Sequence, residues 1–265
     1  MTDTGRERLR RTFTEAAELY DRSRPGYPAR MFRDLARAAQ VGPGRRVLEI
    51  GCGTGQATLP LAARGCRIVA VELGAEMAAV ARRRLAAFPR ARVEVAAFED
   101  WPLPDEPFDT VLSATAFHWV DPRVRVAKAA EALRPGGALA TVATHHVAGG
   151  SSAFFAEVQE CYERFDPSTP PDLRLSPAAE VPEDRLETPG AERFGPPVFH
   201  RYEWEAGYST RAYLDLLLTY SGHRALPEEA RRGLFDAIGR LIDGRHGGRI
   251  TKRYLTELRI AYRRA

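Results

Sequence analysis

Cysteine is scarce in this sequence, and no long apolar run is present. The 265 residues include three cysteines, Cys52, Cys66 and Cys161, and their odd number and spacing match no disulfide framework or zinc motif. No stretch approaches the roughly 18 consecutive apolar residues of a membrane span, and the first residues lack the apolar segment of a signal peptide. We therefore expect a protein of the reducing cytoplasm that does not enter a membrane.

A strong charge imbalance is also missing. The chain has 39 basic and 35 acidic residues, and a short basic run such as Arg82–Arg84 is typical of a solvated helix face rather than of a nucleic-acid surface. With 44% hydrophobic and 28% charged residues, the composition is that of a globular protein. The length suits one large domain, or a core domain with a second lobe.

Strand-like and helix-like segments alternate from residue 46 to residue 145, after two predicted helices at 6–22 and 28–40. Since the strands are apolar throughout, the pattern predicts an α/β fold with a parallel sheet covered by helices on both faces. The predicted strands cover 46–50, 67–72, 92–100, 108–115 and 138–145, and the predicted helices cover 57–65, 75–88 and 124–133.

The alternation is lost after residue 150. A helical segment at 151–164 is followed by a long irregular stretch at 165–197, a type of segment that often forms a lid. Further on, the pattern predicts a strand at 198–206 and two helices, for which Ser209 and Pro227 are plausible starts. Residues 248–263 are predicted as a strand, because their apolar residues do not form one helical stripe.

Three glycines, Gly51, Gly53 and Gly55, follow a predicted strand and precede a predicted helix. Missing side chains let a ligand approach the backbone, and the start of a helix directs free N–H groups towards it. The next predicted strand ends in Glu72, where an acid can accept both ribose hydroxyls of an adenosine. The loop and the acid together predict a nucleotide-containing ligand.

Two residues near the loop distinguish between possible ligands. A dinucleotide-binding motif requires Gly or Ala where this chain has Gln56. Glu49 lies two residues before the loop, where a carboxylate would repel a pyrophosphate but would favour an ammonium group. Adenosine with an amino-acid tail describes S-adenosylmethionine. The alternative for Glu49 is a strand-end acid that is satisfied by backbone donors.

The sequence resembles a known family in these motifs. VLEIGCGTG at 47–55, Glu72 and LRPGG at 133–137 resemble the class I S-adenosylmethionine-dependent methyltransferases over residues 46–145. AELYDRSRPGYP at 17–28 and SATAFHWVDP at 113–122 are similar to the small-molecule branch that includes trans-aconitate methyltransferases. The resemblance implies a Rossmann-like, seven-stranded, mostly parallel sheet with an antiparallel last strand, helices on both faces and a helical cap.

The same resemblance implies a domain organisation. Residues 1–45 would form N-terminal helices that cover the cofactor, and residues 46–150 would form the core that binds S-adenosylmethionine. Residues 151–245 would form the cap, with a strand near 198–206, and residues 246–265 would contain the closing strand of the core.

The resemblance also implies cofactor contacts at individual residues. Glu49 would face the methionine ammonium, and Glu72 would hold the ribose hydroxyls. Ala97 stands where many relatives carry an aspartate, so Glu99 is the alternative contact to the adenine amino group. The other expected cofactor contacts are Tyr20, Arg24, Gly51, Cys52, Gly53, Gly55, Leu73, Met77, Phe98, Ala114 and Phe117.

The sequence indicates the residues around the methyl acceptor less specifically than the residues that contact the cofactor. In-line transfer from a sulfonium requires no metal, and a base is needed only when the acceptor loses a proton. His118, after the fourth strand, is the candidate catalytic base; alternatively it is a helix-start histidine bonded to the backbone. Trp119 contacts the substrate or is a core aromatic residue. The other candidate substrate residues are Tyr27, His145, Tyr220 and Arg224.

Two missing motifs limit the acceptor. No Asn-Pro-Pro-Tyr-type tetrapeptide follows the fourth strand, which counts against methylation of base or glutamine amino groups. The same strand ends without an acid, so the metal site of catechol methyltransferases is not expected. We therefore expect methyl transfer to a small carboxylate or hydroxyl compound by a monomer or homodimer with no nucleic-acid partner. Non-methylating chemistry of the same cofactor, a nicotinamide-dependent oxidoreductase and a binding-only protein are the alternatives.

Overall fold

The computed structural model describes residues 17–186 and 188–265. The first predicted helix is therefore described only in its last part, as α1 (Ala17–Ser23), and its earlier residues lie outside the described chain. Helix α2 (Ala29–Ala38) follows the SRPGYP segment, and Pro28 occupies its N-cap position. Proline supplies no backbone N–H, so a helix that continued through this segment would lose a hydrogen bond.

Seven strands form one mixed sheet, as predicted. Along the sheet the order is β3-β2-β1-β4-β5-β7-β6, and β1 pairs in parallel with both β2 and β4. The strands are β1 (Arg46–Ile50), β2 (Arg67–Glu72), β3 (Ala91–Val95), β4 (Phe108–Ala114), β5 (Leu133–His146), β6 (Val198–Ser209) and β7 (Arg249–Tyr262). The strand order reverses between β1 and β4, and in sheets of this kind ligands bind at the carboxyl ends of the strands beside such a reversal.

The last strand runs antiparallel to its neighbours. Arg263 donates its backbone N–H to the carbonyl of Gly137 at 2.8 Å, while Gly136 donates to the carbonyl of Arg263 at 3.0 Å. On the other side of β7, Gly195 donates to the carbonyl of Tyr262 at 2.9 Å. The interpretation of residues 248–263 as a closing strand is therefore confirmed.

The helices agree with the predicted periodicity except at a few boundaries. The helix that begins near Ser209 was predicted to continue to residue 221, but it ends at Leu217, and a separate short helix begins at Ser221. None of the described helices is both long enough and apolar enough to cross a membrane. After α2 the helices are α3 (Thr58–Ala62), α4 (Ala75–Arg84), α5 (Arg125–Ala132), α6 (Ser152–Phe165), α7 (Thr210–Leu217), α8 (Ser221–Ala225) and α9 (Glu228–Arg245).

The third strand is shorter than predicted. It ends at Val95 instead of continuing to residue 100, because the chain turns there. Asp100 and Trp101 both donate their backbone N–H groups to the carbonyl of Ala97, at 3.1 and 3.0 Å. The Trp101 indole donates to Glu94 at 2.6 Å and fixes the turn against the strand.

The chain divides into two compact units, each assembled from three stretches. The first, here called the glycine-loop unit, comprises Gly26–Thr144, Glu183–Tyr202 and Thr256–Ala265. Its core consists of two clusters of buried apolar side chains from β1, β2, β4 and their helices. The second, here called the aromatic unit, comprises the described residues up to Pro25, His145–Pro182 and Glu203–Leu255.

Candidate active site

The glycine loop directly follows β1 at the reversal of the strand order. Gly51, Gly53 and Gly55 have φ angles of +68°, +57° and +83°, which side chains on L-residues disfavour. At Gly51 there is also no room, since a Cβ atom would lie 2.5 Å from the Cβ of Ala116. The loop therefore depends on glycine for both its conformation and its close packing.

Glu72 joins the glycine loop to the turn after β2. One oxygen of its carboxylate accepts the backbone N–H of Gly53 at 2.8 Å, and the other accepts that of Gly74 at 2.8 Å. Hydrogen bonds to a carboxylate are stronger than those between neutral groups. The two loops at the carboxyl ends of β1 and β2 are therefore fastened together by the acid that the sequence predicted as the ribose ligand.

Glu49 is a buried acid in the middle of the sheet. Its side chain is 1% exposed, and its Oε2 atom has no hydrogen-bond partner among the described residues. Burial raises the pKa of Glu49 to about 8; the Thr58 side chain lowers it in part, and the charge of Glu72 raises it further. A buried carboxylate without a donor is costly, so the site favours an added proton or an added cation.

Apolar side chains are exposed beside this loop. Leu73 follows β2 and is 40% exposed, and Val95, which pairs in register with Glu72, is 45% exposed. Met77 is buried, and its terminal methyl would lie 3.7 Å from a Cβ atom at Gly53. The predicted residues Leu73 and Met77 thus lie near the glycine loop, whereas Val95 was missed because its strand was expected to continue.

The predicted adenine-side residues Ala97, Phe98 and Glu99 lie in the turn after β3. Phe98 is buried in the core, with the Lys128 ammonium 5.4 Å from its ring centre. The Glu99 carboxylate accepts the backbone N–H of Asp121 at 3.0 Å. Glu99 therefore holds this turn against the segment that follows β4.

Cys52 is a buried thiol in the loop. Burial raises its pKa well above the usual value, and the nearby charges of Glu49 and Glu72 act in the same direction. A thiolate is the nucleophilic form of cysteine. The buried Cys52 thiol is therefore a packing group and not a nucleophile.

The backbone after β4 adopts an uncommon conformation. Ala114 ends the strand, and Thr115 has a φ angle of 56°, which is rare for a β-branched residue. The Tyr27 hydroxyl lies 3.0 Å from the Thr115 hydroxyl oxygen, and the Thr115 N–H donates to the carbonyl of Val142. Strained residues of this kind concentrate at functional sites. No sequence signal predicted the positive φ angle of Thr115.

His118 and Trp119 lie on a 3₁₀ turn, Phe117–Trp119, just beyond this point. Phe117 is buried, and its carbonyl accepts a hydrogen bond from Arg125 at 3.0 Å. His118 is exposed as a residue, with its ring centre 5.0 Å from that of Trp119. Loss of solvation around the ring and the charge of Arg125 lower the pKa of His118, while Asp184 opposes this shift. A neutral imidazole is the form that accepts a proton.

The other predicted residues lie in the aromatic unit and cluster around one tyrosine. Arg24 donates to the carbonyl of Thr219 at 3.1 Å, and its guanidinium carbon lies 4.0 Å from the ring centre of Tyr220 and 5.1 Å from that of Tyr20. The Tyr220 hydroxyl lies 2.9 Å from Nε2 of His146. Tyr20, Arg24 and Tyr220 are thus brought together, and His146 contacts Tyr220.

His145 and Arg224 belong to the same unit. Nε2 of His145 is buried and has no hydrogen-bond partner in the described part of the chain. Arg224 lies in α8, and its carbonyl accepts a hydrogen bond from Arg231 at 3.2 Å. The predicted site residues therefore form two groups, one in each unit. Sequence reasoning also missed Lys252, Tyr162 and Tyr254 in the aromatic unit.

Comparison with known proteins identifies the family. A family described as a methyltransferase domain matches residues 47–137, which contain the glycine loop and Glu72. An uncharacterized methyltransferase of Mycobacterium bovis is 32% identical over 231 residues, covering 87% of this chain and 85% of the relative. The chain belongs to the methyltransferase family. A methyltransferase of Mycobacterium tuberculosis, also uncharacterized, has the same identity and coverage.

Solved structures support the fold of this methyltransferase. The YcgJ protein of Bacillus subtilis has a TM-score of 0.54 at 19% identity, covering 90% of this chain and all of that one. Phosphoethanolamine N-methyltransferase 2 of Haemonchus contortus has a TM-score of 0.53 at 16% identity, covering 95% of this chain and 58% of that one. The latter was solved with phosphomonomethylethanolamine and S-adenosylhomocysteine.

The enzyme is thus a class I methyltransferase, and its cofactor is S-adenosylmethionine. Its residues fit this cofactor at two points. The buried Glu49 carboxylate has an oxygen with no partner among the described residues, where an ammonium would supply the missing donor. At Gly53 the absence of a side chain leaves the backbone accessible, since only the terminal methyl of Met77 lies within 4 Å of the place that a Cβ atom would take.

Proposed function

We propose that this methyltransferase transfers the methyl group of S-adenosylmethionine to a small molecule with a carboxylate or hydroxyl acceptor. The observation that carries the proposal is the Glu49 carboxylate, buried next to the glycine loop with an oxygen that lacks a partner in the described chain. A buried acid of this kind is stabilised by a cation held beside it. The cofactor supplies a methyl group that its sulfonium has already activated.

In this proposal the glycine-loop unit holds and orients the cofactor. Glu49 binds the methionine ammonium, and Glu72, already fixed by Gly53 and Gly74, binds the ribose hydroxyls. The exposed side chains of Leu73 and Val95 provide the apolar surface for the adenine. Because the Glu72 carboxylate is fixed before the ligand arrives, little of its conformational freedom remains to be lost on binding.

The residues after β4 are proposed to serve the acceptor. His118 has a lowered pKa and is therefore neutral near pH 7, so it can accept the proton of a hydroxyl acceptor. A carboxylate acceptor is already ionised and needs only alignment with the methyl group. Replacing His118 by Gln is therefore expected to slow methylation of a hydroxyl compound by about 10²-fold or more, and to leave that of a carboxylate nearly unchanged.

The experiment is a calorimetric titration of S-adenosylmethionine into the wild-type chain and into Glu49→Gln and Glu72→Ala. We expect the dissociation constant to rise about tenfold for Glu49→Gln and by about 10²-fold for Glu72→Ala, since each loses hydrogen bonds to a charged group. Mass spectrometry of the spent cofactor then identifies the reaction. S-adenosylhomocysteine is the expected product, whereas methylthioadenosine would contradict methyl transfer.

The matched control is Glu131→Gln. Glu131 is an exposed acid of the same unit that pairs with Arg193 at 3.3 Å on the surface. This variant is expected to bind the cofactor like the wild type. Unchanged cofactor affinity in Glu49→Gln and Glu72→Ala, or an equal loss of affinity in all three variants, would contradict the proposed cofactor site.

A further inference from the structure

The chain uses lysine at only two positions. Of its 39 basic residues of the lysine and arginine types, only Lys128 and Lys252 are lysines. Lys252 lies on β7 in the aromatic unit and is only 4% exposed. Arginine remains charged in proteins, whereas a buried lysine can lose its proton. A lysine in the interior of an arginine-rich chain therefore points to a position where a removable charge is useful.

Aromatic rings surround the Lys252 ammonium. Its nitrogen lies 5.7 to 5.9 Å from the centres of four rings, and no hydrogen bond or ion pair joins it to the described residues. At such distances cation–π attraction is modest and does not replace an anionic partner. The rings belong to Phe155, Tyr213, Tyr220 and Tyr254.

Further basic groups share this surrounding. His146 and the Tyr220 hydroxyl are 2.9 Å apart, and His223 lies 2.9 Å from the Tyr162 hydroxyl. Nδ1 of His223 is buried and has no hydrogen-bond partner in the described part of the chain. The Arg24 guanidinium stacks on the ring of Tyr220, the residue that contacts His146.

Negative charge is scarce around the same group. Asp166, which follows α6, acts on His223, but no carboxylate among the described residues shifts the pKa of Lys252. Burial, followed by the charge of Arg24, lowers the pKa of Lys252 to about 7. The pKa of His146 is lowered to about 3 and that of His223 to about 4. In both cases loss of solvation is the larger cause and the charge of Lys252 is the second. The cluster thus contains several basic groups that repel one another's protons.

We propose that Lys252, with His146, Tyr220 and His223, binds the carboxylate of an acid with an apolar body. The aromatic rings around the ammonium suit an apolar body, and the ammonium with its polar neighbours suits the carboxylate. The site lies within the aromatic unit, and its assignment to the substrate rests on the proposed methyl transfer to a small acceptor.

Lysine suits a buried position that has no anionic partner among the described residues. A permanent charge buried without a partner is costly, whereas a lysine can release its proton and remain neutral. When a carboxylate enters, the ion pair favours the protonated ammonium, so binding takes up a proton. Near pH 7, where Lys252 is about half protonated, the uptake is roughly half a proton per carboxylate bound.

The test uses the wild-type full chain and sodium cyanate, which modifies neutral amines. Mass spectrometry follows carbamylation of Lys252 and Lys128 in the same molecule, with benzoate, cinnamate or hexanoate present, and with benzamide as the neutral counterpart of benzoate. We expect at least one carboxylate to slow carbamylation of Lys252 by tenfold or more while Lys128 is unaffected. Benzamide is expected to protect Lys252 far less than benzoate does.

Calorimetry with the protecting acid provides the second measurement. Titration in two buffers of different ionisation enthalpy is expected to report proton uptake, and Lys252→Met to weaken binding at least tenfold. Lys128→Met is the matched control and is expected to bind the acid like the wild type. If no carboxylate protects Lys252, or if inorganic phosphate protects it better than all three, the carboxylate site is refuted.

The two proposals can fail separately. Lys252→Met is expected to retain the wild-type affinity for S-adenosylmethionine, since Glu49 and Glu72, the two acids proposed to bind the cofactor, lie in the other unit. If a carboxylate slows carbamylation of Lys252 in the wild-type chain, but the chain does not bind S-adenosylmethionine, only the proposed function is refuted. The opposite result would refute the carboxylate site alone.

Discussion

The Tyr27 hydroxyl lies 3.0 Å from the hydroxyl oxygen of Thr115, which the chain holds at a φ angle of 56°. This contact connects the segment before α2 to the turn after β4. A positive φ angle costs an ordinary residue about 1–2 kcal/mol, so the conformation at Thr115 depends on its surroundings.

We expect Tyr27→Phe to lower the free energy of unfolding by about 0.5–1.5 kcal/mol, the net contribution of one hydrogen bond. In a Thr115→Gly background the same change is expected to cost less, because the hydroxyl of Thr115 is gone. Urea unfolding of the wild type, both single variants and the double variant gives the coupling energy. Additive effects of the two substitutions would show that the hydroxyls do not stabilise each other.

Alanine substitutions at Gly51 and Gly44 distinguish the cost of backbone strain from the cost of steric overlap. Both have positive φ angles, +68° and +77°, but a Cβ atom at Gly51 would lie 2.5 Å from Ala116, whereas nothing lies within 4 Å at Gly44. We expect Gly44→Ala to cost about 1 kcal/mol of unfolding free energy, and Gly51→Ala to cost a further 1–3 kcal/mol or so from overpacking. Thermal or urea unfolding measures both, and equal costs would contradict the steric argument.

Glu49 is expected to make stability depend on pH in a defined window. Its pKa is raised from 4.5 to about 8, so between these values the folded chain binds more protons than the unfolded chain. The free energy of unfolding therefore decreases as the pH rises through this window. The contribution is on the order of a few kcal/mol, and Glu49→Gln should remove it. A Glu49→Gln profile that is parallel to the wild type from pH 5 to pH 8 would be inconsistent with this assignment.

Lys252 is expected to have the opposite effect at higher pH. Its pKa is lowered from 10.5 to about 7, so between these values the unfolded chain binds more protons. The contribution of Lys252 to the free energy of unfolding therefore increases as the pH rises from about 7 to 10.5. Comparing wild type with Lys252→Met at pH 7 and pH 9 isolates this effect. The stability difference between the two proteins should shift in favour of the wild type at pH 9, and Lys128→Met should give no comparable shift.

Ser209 is expected to contribute to stability as the N-cap of α7. Its side chain accepts the backbone N–H of Ala212 at 3.3 Å. Ser209→Ala should lower the free energy of unfolding by about 1 kcal/mol, while Ser209→Asp should retain most of it. Urea denaturation of the two variants provides the measurement, and equal losses in both would argue against capping.

The sequence patterns predicted the fold well where local chemistry determines it. The start of α7 at Ser209 follows from capping chemistry, and the closing strand follows from the lack of a helical stripe in residues 248–263. The predicted positions of the glycine loop and Glu72 follow from alternating strands and helices. Each of these features depends on residues that are close together in the sequence.

The features that were missed depend on residues that are distant in the sequence. A threonine after a strand gives no sign of a positive φ angle, and Tyr27, whose hydroxyl contacts Thr115, is distant in the sequence. A lysine in a predicted strand is expected to be exposed to solvent. In the structure, however, β7 lies between β5 and β6 inside the sheet, and Lys252 is buried. The exposure of Val95 arises because the strand ends earlier than its composition predicts.

The division of the chain into two units has a genetic consequence. Each unit is encoded by three separate stretches that alternate along the gene, so no single crossover between two related genes exchanges a complete unit. Shuffling experiments that aim to combine one cofactor-binding unit with another aromatic unit must therefore replace several segments at once. We expect new acceptor preferences in such enzymes to arise by point substitution within the aromatic unit rather than by recombination of intact units.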